Sequence, residues 1–361
     1  HYYHHPIGEV CQAFLPTSLR SVKTVMSIDA FPLNADFEIT NFTKILSDQQ
    51  TVAVKFLLKL QGFSPTLLYG VTGSGKTEVY MRCIQEQLLQ DNSALLLAPE
   101  ISLTPQLELR LKEQFGDLVV LYHSKMTPSK RYQAWKKFRS GEARVLIGTR
   151  SAAMMSAPNL GLIIVDEEHD ASYKQHDGFK VSARDLAIKR AQMLKIPIIL
   201  GSATPSLRTL RSVEEKKFGI IKLTKRITKQ NPPKFLILDI NKAILTSGLA
   251  PQAIEAIAAT LQQKKQAMIF INRRGFAPQF ICANCDWRAI CNSCESSLVF
   301  HHHQDRLICH RCDSAFGVPK HCPACSAEQL SLIGTGTEQL EITLQELFPK
   351  IPIYRMDKDS T

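Results

Sequence analysis

Gly70-Val71-Thr72-Gly73-Ser74-Gly75-Lys76-Thr77 fits the G-x-x-x-x-G-K-[ST] pattern of a phosphate-binding loop. The strand-like run 66–69 precedes it and the helix-forming run 78–89 follows it, which is the context that the pattern requires. Glycines let backbone N–H groups approach phosphate oxygens, and the start of a helix attracts an anion. We therefore expect this stretch to bind a nucleotide, with Lys76 on the β- and γ-phosphates and the Thr77 hydroxyl on Mg²⁺.

Short apolar runs alternate with helical segments after this loop, as they do in a parallel sheet buried between helices. Five such runs are 94–98, 119–122, 145–147, 162–165 and 198–200. Polar or small residues follow four of them directly, at 99–104, 148–152, 166–169 and 201–205. Ligands bind at the carboxyl ends of parallel strands, so we expect an α/β fold in which these segments form one composite site.

The run 162–165 leads into Asp166-Glu167-Glu168-His169. A metal-dependent phosphohydrolase needs acidic residues opposite its phosphate loop, and we expect Asp166 to hold Mg²⁺ through water. Glu167 would then orient and deprotonate the attacking water. The candidate catalytic residues are therefore Lys76, Arg150, Asp166 and Glu167. Read in isolation, the same acidic segment is also compatible with a turn that caps the following helix.

The residues that could contact a nucleotide base or DNA belong to sequence patterns that are less specific than the phosphate loop. Gln49, in the first turn of a helical segment, can read an adenine edge, but a solvated glutamine explains it equally well. The polar loop 172–185 interleaves aromatic and basic residues, which stack on bases and neutralise phosphates, although an ordinary surface loop fits too. Two arginines after the run 267–271 can grip phosphate or be surface charge. The candidate DNA-coupling residues are Tyr173, Lys174, Phe179, Lys180, Arg184, Thr204, Arg273 and Arg274.

Eight of the ten cysteines form four Cys-x-x-Cys pairs in one short region, which favours zinc over disulfides. Eight thiolates fill two tetrahedral sites and leave no position open for water, so we expect two structural Zn²⁺ ions. The spacing favours one ion shared by the inner pairs and a second shared by the outer pairs, with sequential and crossed pairings still open. The inner set is Cys291, Cys294, Cys309 and Cys312, and the outer set is Cys282, Cys285, Cys322 and Cys325. Nearby histidines are expected to be bystanders, namely His301, His302, His303, His310 and His321.

Length, charge and hydropathy narrow the class of protein. The 361 residues leave room for two or three domains, and no apolar run is long enough to span a membrane. The net charge of +11 is compatible with a polyanionic partner such as nucleic acid, which charge alone does not prove. The first residue is His1 rather than Met, and no signal segment follows it. We expect a fragment of a cytoplasmic, nucleoid-associated protein.

The expected organisation has five parts. Residues 1–20 are the tail of a preceding DNA-binding domain, and residues 21–45 are a linker or the remnant of a winged-helix module. Residues 46–226 form the first, ATP-binding lobe. Residues 227–280 and 328–361 form part of a second lobe, with strands expected at 235–238, 267–271 and 351–354 and a helix ending at Leu347. The zinc module is an insertion at 281–327.

The segments 70–78, 99–106, 148–152, 166–170 and 201–206 together resemble those of a superfamily 2 helicase. A narrower similarity rests on 166–175, on 272–278, on Gly336-Thr337-Glu338-Gln339-Leu340 and on the eight cysteines. In these features the chain resembles the bacterial primosomal protein N′ family, PriA. The resemblance implies a RecA-like P-loop helicase lobe followed by a partial second RecA-like lobe that carries the inserted double-zinc module.

The resemblance also implies a function. Members of this family are ATP-driven 3′ to 5′ DNA helicases that recognise stalled or D-loop forks and initiate primosome assembly. Implied cofactors are ATP, Mg²⁺ and two structural Zn²⁺ ions. Implied partners are forked and single-stranded DNA, single-strand-binding protein, the primosomal proteins PriB and DnaT, and the replicative helicase with its loader, with no membrane partner. The alternative is that this length of chain is a non-catalytic fork-binding or primosome-scaffold protein.

Overall fold

The computed structural model describes two compact units, His1–Pro232 and Pro233–Thr361. The residues it describes are 6–16, 19, 42–99, 105–175, 180–228, 233–240, 245–271, 279–282, 284–285, 287–301, 305–328, 330–333 and 337–356. Within these ranges, no helix has the length and apolar character that crossing a bilayer requires.

The first unit is built on a seven-stranded parallel sheet. Its strands are β1 (Pro65–Gly70), β2 (Ser93–Leu97), β3 (Val119–Tyr122), β4 (Val145–Gly148), β5 (Leu160–Val165), β6 (Ile198–Ser202) and β7 (Gly219–Leu223). Its helices are α1 (Ile7–Phe14), α2 (Asp48–Leu57), α3 (Lys76–Leu89), α4 (Pro105–Phe115), α5 (Pro128–Ser140), α6 (Ala183–Leu194) and α7 (Leu207–Glu214). The strand order is β3-β4-β2-β5-β6-β1-β7. The predicted α/β class with a parallel sheet is confirmed.

Both faces of this sheet are buried, which explains why its strands are continuous apolar runs. Side chains alternate along a strand, so neighbours such as Leu95 and Leu96 enter opposite layers of the core. One layer packs against α2, α3 and α4, with Ile84 and Leu111 fully buried. The other layer packs against α5 and α6, where Phe138 is fully buried.

The strand order places the polar segments of the sequence at defined distances from one another. β5, β6 and β1 are neighbours, so the segments that follow them lie side by side at one edge of the sheet. β4 stands four positions from β1. With strands about 4.8 Å apart, the segment after β4 lies roughly 19 Å from the phosphate loop across the sheet.

The described residues of the second unit form short antiparallel sheets and two helices. Its elements are α8 (Pro251–Gln262), β8 (Gln279–Cys282), β9 (Val299–His301), β10 (Arg306–Ile308), β11 (Ala315–Gly317), β12 (Leu330–Ile333) and α9 (Thr337–Leu347). β8 pairs with β12, while β9, β10 and β11 form a three-stranded sheet between them in sequence. The two-stranded ribbon therefore brings the two ends of the cysteine-rich segment together.

The strands expected at 235–238, 267–271 and 351–354 are not formed; these segments lack strand pairing in the structure. Their large apolar side chains are exposed, as Phe235 and Phe270 illustrate at 88% and 86%. An apolar run becomes a strand only when a neighbouring strand takes up its backbone hydrogen bonds. The described residues offer these segments no such neighbour, so the local pattern alone was insufficient.

Candidate nucleotide site and metal centres

The phosphate loop joins the end of β1 to the start of α3. Gly73 and Gly75 have φ angles of +80° and +77°, a region that residues with a side chain rarely adopt. A Cβ atom on Gly75 would collide with the amide nitrogen of Gln50 and with Ile227. The N–H of Ile227 donates to the carbonyl of Gly73 at 2.9 Å. Glycine is therefore required where the loop turns into the helix.

Lys76 extends from the first residue of α3 back across the loop. Its Nζ donates to the carbonyl of Gly70 at 3.1 Å and lies 3.5 Å from Oε1 of Glu167. The Oγ of Ser74 is buried and has no hydrogen-bond partner in the described part of the chain. A buried hydroxyl without a partner beside a helix start and a lysine suits an anionic group. These residues fit the phosphates of a nucleotide.

Asp166 follows β5 and is held by two tyrosine hydroxyls. Tyr80, one turn after Lys76 on α3, donates to its Oδ1 at 2.8 Å. Tyr173 donates to its main-chain carbonyl at 2.6 Å and shares that proton with the carbonyl of Leu97. Burial raises the pKa of Asp166, while the hydrogen bond from Tyr80 and the charge of Lys76 act to lower it. The hydroxyl of Tyr80 thus holds one oxygen of the carboxylate, and the described residues make no hydrogen bond or ion pair to Oδ2.

Glu167 occupies the left-handed region, with a φ of +43°. This conformation costs a residue with a side chain about 1–3 kcal/mol and persists only where the surroundings impose it. Its Oε2 lies 3.7 Å from Nδ1 of His169, and its Oε1 faces Lys76. The strained backbone directs the carboxylate toward the phosphate loop.

His169 connects this acidic segment to the segment after β6. Its Nδ1 is 2.8 Å from the Oγ of Ser202, and its Nε2 is 3.2 Å from the Oγ1 of Thr204. Thr204, a candidate DNA-coupling residue, therefore contacts the acidic segment through a histidine. The two segments are linked by hydrogen bonds as well as by strand pairing.

Glu168 was not singled out from the sequence, yet it is a fully buried carboxylate. It lies 2.7 Å from Nε of Arg184 and accepts hydrogen bonds from the N–H of Ser206 and the hydroxyl of Thr209. Arg184, expected to face DNA, is only 7% exposed and compensates this buried charge. A carboxylate taken out of water needs a cation, and that requirement draws the guanidinium inward.

Two further candidates occupy unexpected positions. Tyr173 is buried and braces Asp166, so its ring offers no face on which a base can stack. Arg150 follows β4, far from the phosphate loop, and donates to the carbonyl of Lys174 at 3.5 Å. It lines a shallow cleft with Ser124 and Ser172. The structure does not bring Arg150 to Lys76, because three strands lie between β4 and β1.

The remaining DNA-coupling candidates divide into two groups. Lys174 and Lys180 are exposed and lie within the loop 172–185 that is expected to sense DNA. Phe179, Arg273 and Arg274 lie outside the described residues.

Gln49, a candidate nucleotide contact, and its neighbour Gln50 both bond to the main chain of other segments. Both amide atoms of Gln49 bind the chain after β7, since Oε1 accepts from the N–H groups of Thr224 and Lys225 and Nε2 donates to the Thr224 hydroxyl. Gln50 is 2% exposed and donates to the carbonyls of Ser74 and Gly75. Gln50 thus supports the phosphate loop, and a local sequence pattern gave no sign of this.

The eight paired cysteines come together as two groups of four. The thiol sulfurs of Cys282, Cys285, Cys322 and Cys325 form one group, and those of Cys291, Cys294, Cys309 and Cys312 form the other. Closest sulfur–sulfur distances are 3.6 Å in the first group and 3.3 to 3.7 Å in the second. A tetrahedral zinc with bonds of about 2.3 Å separates its sulfurs by about 3.8 Å. Each group can hold a metal ion of this size.

The same backbone turn presents the cysteines at each pair. Cys291, Cys309 and Cys322 each accept a hydrogen bond at their carbonyl from the N–H four residues on, and that later residue has a positive φ. The N–H of Cys282 donates to the carbonyl of Trp287, five residues later in the chain. In each of the other three pairs, the N–H of the first cysteine likewise donates to the carbonyl of the residue five positions later. This repeated turn aims both thiols of a pair to one side.

The described histidines of this module lie outside both groups. His301 and His310 pair with each other through their Nε2 atoms at 2.9 Å, and His321 is exposed. His302 and His303 fall outside the described residues.

Comparison with known proteins places this site in context. Residues 47–213 match the DEAD/DEAH box helicase family. The chain is 42% identical to the replication restart protein PriA of Haemophilus influenzae, across 91% of the chain and 44% of that protein. Identity to the PriA of Bacillus subtilis is 35%, across 88% of the chain and 40% of that protein. Identity to the PriA of Rickettsia conorii is 36%, across 99% of the chain and 54% of that protein.

Among solved structures, RecG bound to a three-way DNA junction is similar at a TM-score of 0.42 and 19% identity, covering 65% of this chain and 29% of RecG. The chain spans about half the length of the curated relatives it matches. Over the sequence that it shares with these proteins, the chain is similar to the PriA replication restart proteins.

Proposed function

We propose that this chain carries the ATP-hydrolysing part of a DNA helicase of replication restart. The observation that carries the proposal is the 3.5 Å separation between Nζ of Lys76 and Oε1 of Glu167. It brings the cation of the phosphate loop and a carboxylate after β5 into one site. Charge stabilisation and positioning, rather than covalent chemistry, are what γ-phosphate hydrolysis requires.

The residues around this pair have distinct proposed roles. The N–H groups of 70–77 cradle the phosphates, and Lys76 moves from the carbonyl of Gly70 to the β- and γ-phosphate oxygens. Glu167 accepts the proton of the attacking water. Its strained backbone aims its carboxylate at the phosphate loop. Asp166 and the Thr77 hydroxyl are the residues that would hold Mg²⁺, directly or through water. When bound, this ion neutralises charge that develops on the phosphate oxygens.

Two Zn²⁺ ions are the proposed occupants of the cysteine groups. Eight thiolates in two closed sets leave no ligand position open, so the ions would have a structural role. The second unit has only one small apolar cluster among its described residues, which makes such cross-links valuable.

The finer activity follows from the family. We propose that the protein translocates 3′ to 5′ on DNA, recognises stalled or D-loop forks and starts primosome assembly. Its partners would be forked and single-stranded DNA, single-strand-binding protein, PriB, DnaT, and the replicative helicase with its loader. The chain's net charge of +11 is compatible with a nucleic-acid partner.

The catalytic proposal is tested with DNA-stimulated ATP hydrolysis by a protein of the relatives' full length that contains this chain. Glu167→Gln removes the proposed general base and is expected to lower turnover by about 10²–10⁴-fold. Lys76→Ala should abolish turnover and also weaken binding of an ATP analogue, because it removes the cation that meets the phosphates.

Glu215→Gln is the matched control, since Glu215 is also ion-paired but lies on the surface after α7. It should leave turnover unchanged. Equal turnover in the unsubstituted protein, Lys76→Ala and Glu167→Gln would overturn the proposal. ATP binding without DNA-stimulated turnover would instead support a non-catalytic fork-binding or scaffold protein.

A further inference from the structure

Tyr80 links the two halves of the proposed ATP site. It lies on α3, one turn after Lys76, and its side chain is 1% exposed. Its hydroxyl reaches across to the segment after β5 and meets Oδ1 of Asp166 at 2.8 Å. The helix that begins at the phosphate loop is thereby tied to the carboxylate expected to hold the metal ion.

The surrounding structure is shaped to receive this hydroxyl. Gly201, at the end of β6, stands against it, and a Cβ atom there would collide with Oη of Tyr80. The same Cβ atom would lie 3.3 Å from Oδ1 of Asp166. Glycine at position 201 therefore leaves the space in which the phenol and the carboxylate meet.

The direction of the hydrogen bond follows from the chemistry of the two groups. A phenol keeps its proton at neutral pH and an ionised carboxylate only accepts, so Tyr80 is the donor. This bond is made to Oδ1, and the described residues make no hydrogen bond or ion pair to Oδ2. Outer hydrogen-bond partners of this kind orient metal-binding carboxylates and tune their affinity for the ion.

We propose that Tyr80 is a positioning residue that sets the orientation of the Asp166 carboxylate and so the affinity of the ATP site for its divalent cation. This inference rests on the proposed function, because it requires a metal–nucleotide complex at the loop. It goes beyond that function in assigning a role to a buried side chain that is not itself a proposed ligand of the nucleotide or the metal.

The test measures metal binding directly, without turnover. Mn²⁺ replaces Mg²⁺, and its binding to the chain is followed by electron paramagnetic resonance in the presence of a non-hydrolysable ATP analogue. Tyr80→Phe keeps the ring and removes only the hydroxyl. It is expected to weaken Mn²⁺ binding by about 10–100-fold, the usual effect of losing such an outer partner.

Tyr122→Phe is the matched control. Tyr122 is also fully buried, and its hydroxyl accepts a hydrogen bond from Arg131 at 3.1 Å at the far edge of the same sheet. This variant loses a comparable buried hydroxyl contact and should bind Mn²⁺ as the unsubstituted chain does. A general loss of stability would weaken Mn²⁺ binding in both variants to a similar extent.

A double-substitution cycle separates positioning from structural support. If Tyr80 acts through Asp166, adding Tyr80→Phe to Asp166→Asn should weaken Mn²⁺ binding no further than Asp166→Asn alone. Additive losses would overturn the inference, and so would equal Mn²⁺ affinity in Tyr80→Phe and Tyr122→Phe. Failure of the unsubstituted chain to bind the metal–nucleotide complex would overturn the proposed function, and with it this inference.

Discussion

The three consecutive acidic residues after β5 differ because each meets a different environment. Asp166 accepts a hydrogen bond from Tyr80 on the helix that follows the phosphate loop, and Glu167 lies 3.5 Å from Lys76 of that loop. The side chain of Glu168 is completely buried and faces Arg184 and the start of α7. One strand end thus supplies two candidate functional carboxylates and one structural ion pair that anchors them.

At the residue scale, Arg184→Met is expected to destabilise the first unit strongly. It leaves the Glu168 carboxylate buried without its cation, which costs about 3–5 kcal/mol in free energy of unfolding. Arg208→Met is the control, because Arg208 contacts the same small cluster through Asp185 but is 68% exposed. Exposed ion pairs contribute about 0–1 kcal/mol, so this change should be small.

Urea unfolding of both variants measures the difference. Restoration of stability by Arg184→Met combined with Glu168→Leu would support the ion-pair explanation, since the uncompensated charge is then gone. Equal losses in Arg184→Met and Arg208→Met would contradict it.

The sequence predicted residues whose chemistry is local and missed those that act through the fold. Lys76 and Asp166 belong to short patterns with a direct chemical meaning. Tyr80 and Gln50 do not, because each is recognisable only once α3, β5 and α2 are packed together. The ion pair of Arg184 with Glu168 is hidden from the sequence for the same reason, because a basic residue in a polar segment resembles a surface residue until its buried partner is known.

Strands can be predicted from the sequence where burial on both faces of the sheet requires a continuous run of apolar residues. β2, β4, β5 and β6 are covered on both faces, so each is a continuous apolar run. The segments 235–238 and 267–271 are also apolar, but they have no pairing partner among the described residues. Strand pairing joins residues distant in sequence, and no local pattern encodes whether the partner is present.

At the element scale, the loop between β1 and α3 depends on the conformation of Gly75. Gly75→Ala is expected to cost roughly 1–2 kcal/mol in free energy of unfolding, because its φ of +77° disfavours a side chain. The added methyl group also collides with Gln50 and Ile227, so the loop must shift and bind an ATP analogue more weakly.

Gly62→Ala separates these two effects. Gly62 has a φ of +61°, but a Cβ atom there would meet nothing within 4 Å. Its stability loss should be similar, and its affinity for the analogue should match that of the unsubstituted chain. Equal analogue affinity in the two variants, measured by isothermal titration, would show that the collision does not affect the loop.

At the scale of the whole molecule, the two units are stabilised by different means. The first unit buries two large apolar clusters on either side of its sheet. The main cluster of the second unit is small, and it includes Cys291 and Cys309, which are themselves candidate metal ligands. Structural zinc contributes about 10–16 kcal/mol in small modules, as much as the whole stability of many domains.

Zinc removal is therefore expected to unfold the cysteine-rich segment and spare the first unit. Elemental analysis should find two zinc ions per chain before chelation. The chain has two tryptophans, Trp135 on α5 and Trp287 between the first two cysteine pairs. Trp287→Phe and Trp135→Phe each leave one fluorophore, so each variant reports on one unit.

With a strong chelator, the emission of Trp287 should shift to longer wavelength as water reaches the ring, while that of Trp135 stays constant. Limited proteolysis should then cut within 279–333 and leave the seven-stranded sheet intact. A parallel change in both tryptophans would mean that the first unit also depends on the metal. Fewer than two ions per chain in the untreated protein would contradict the assignment of all eight cysteines to two closed sites, since each site needs its own ion to hold four thiolates together.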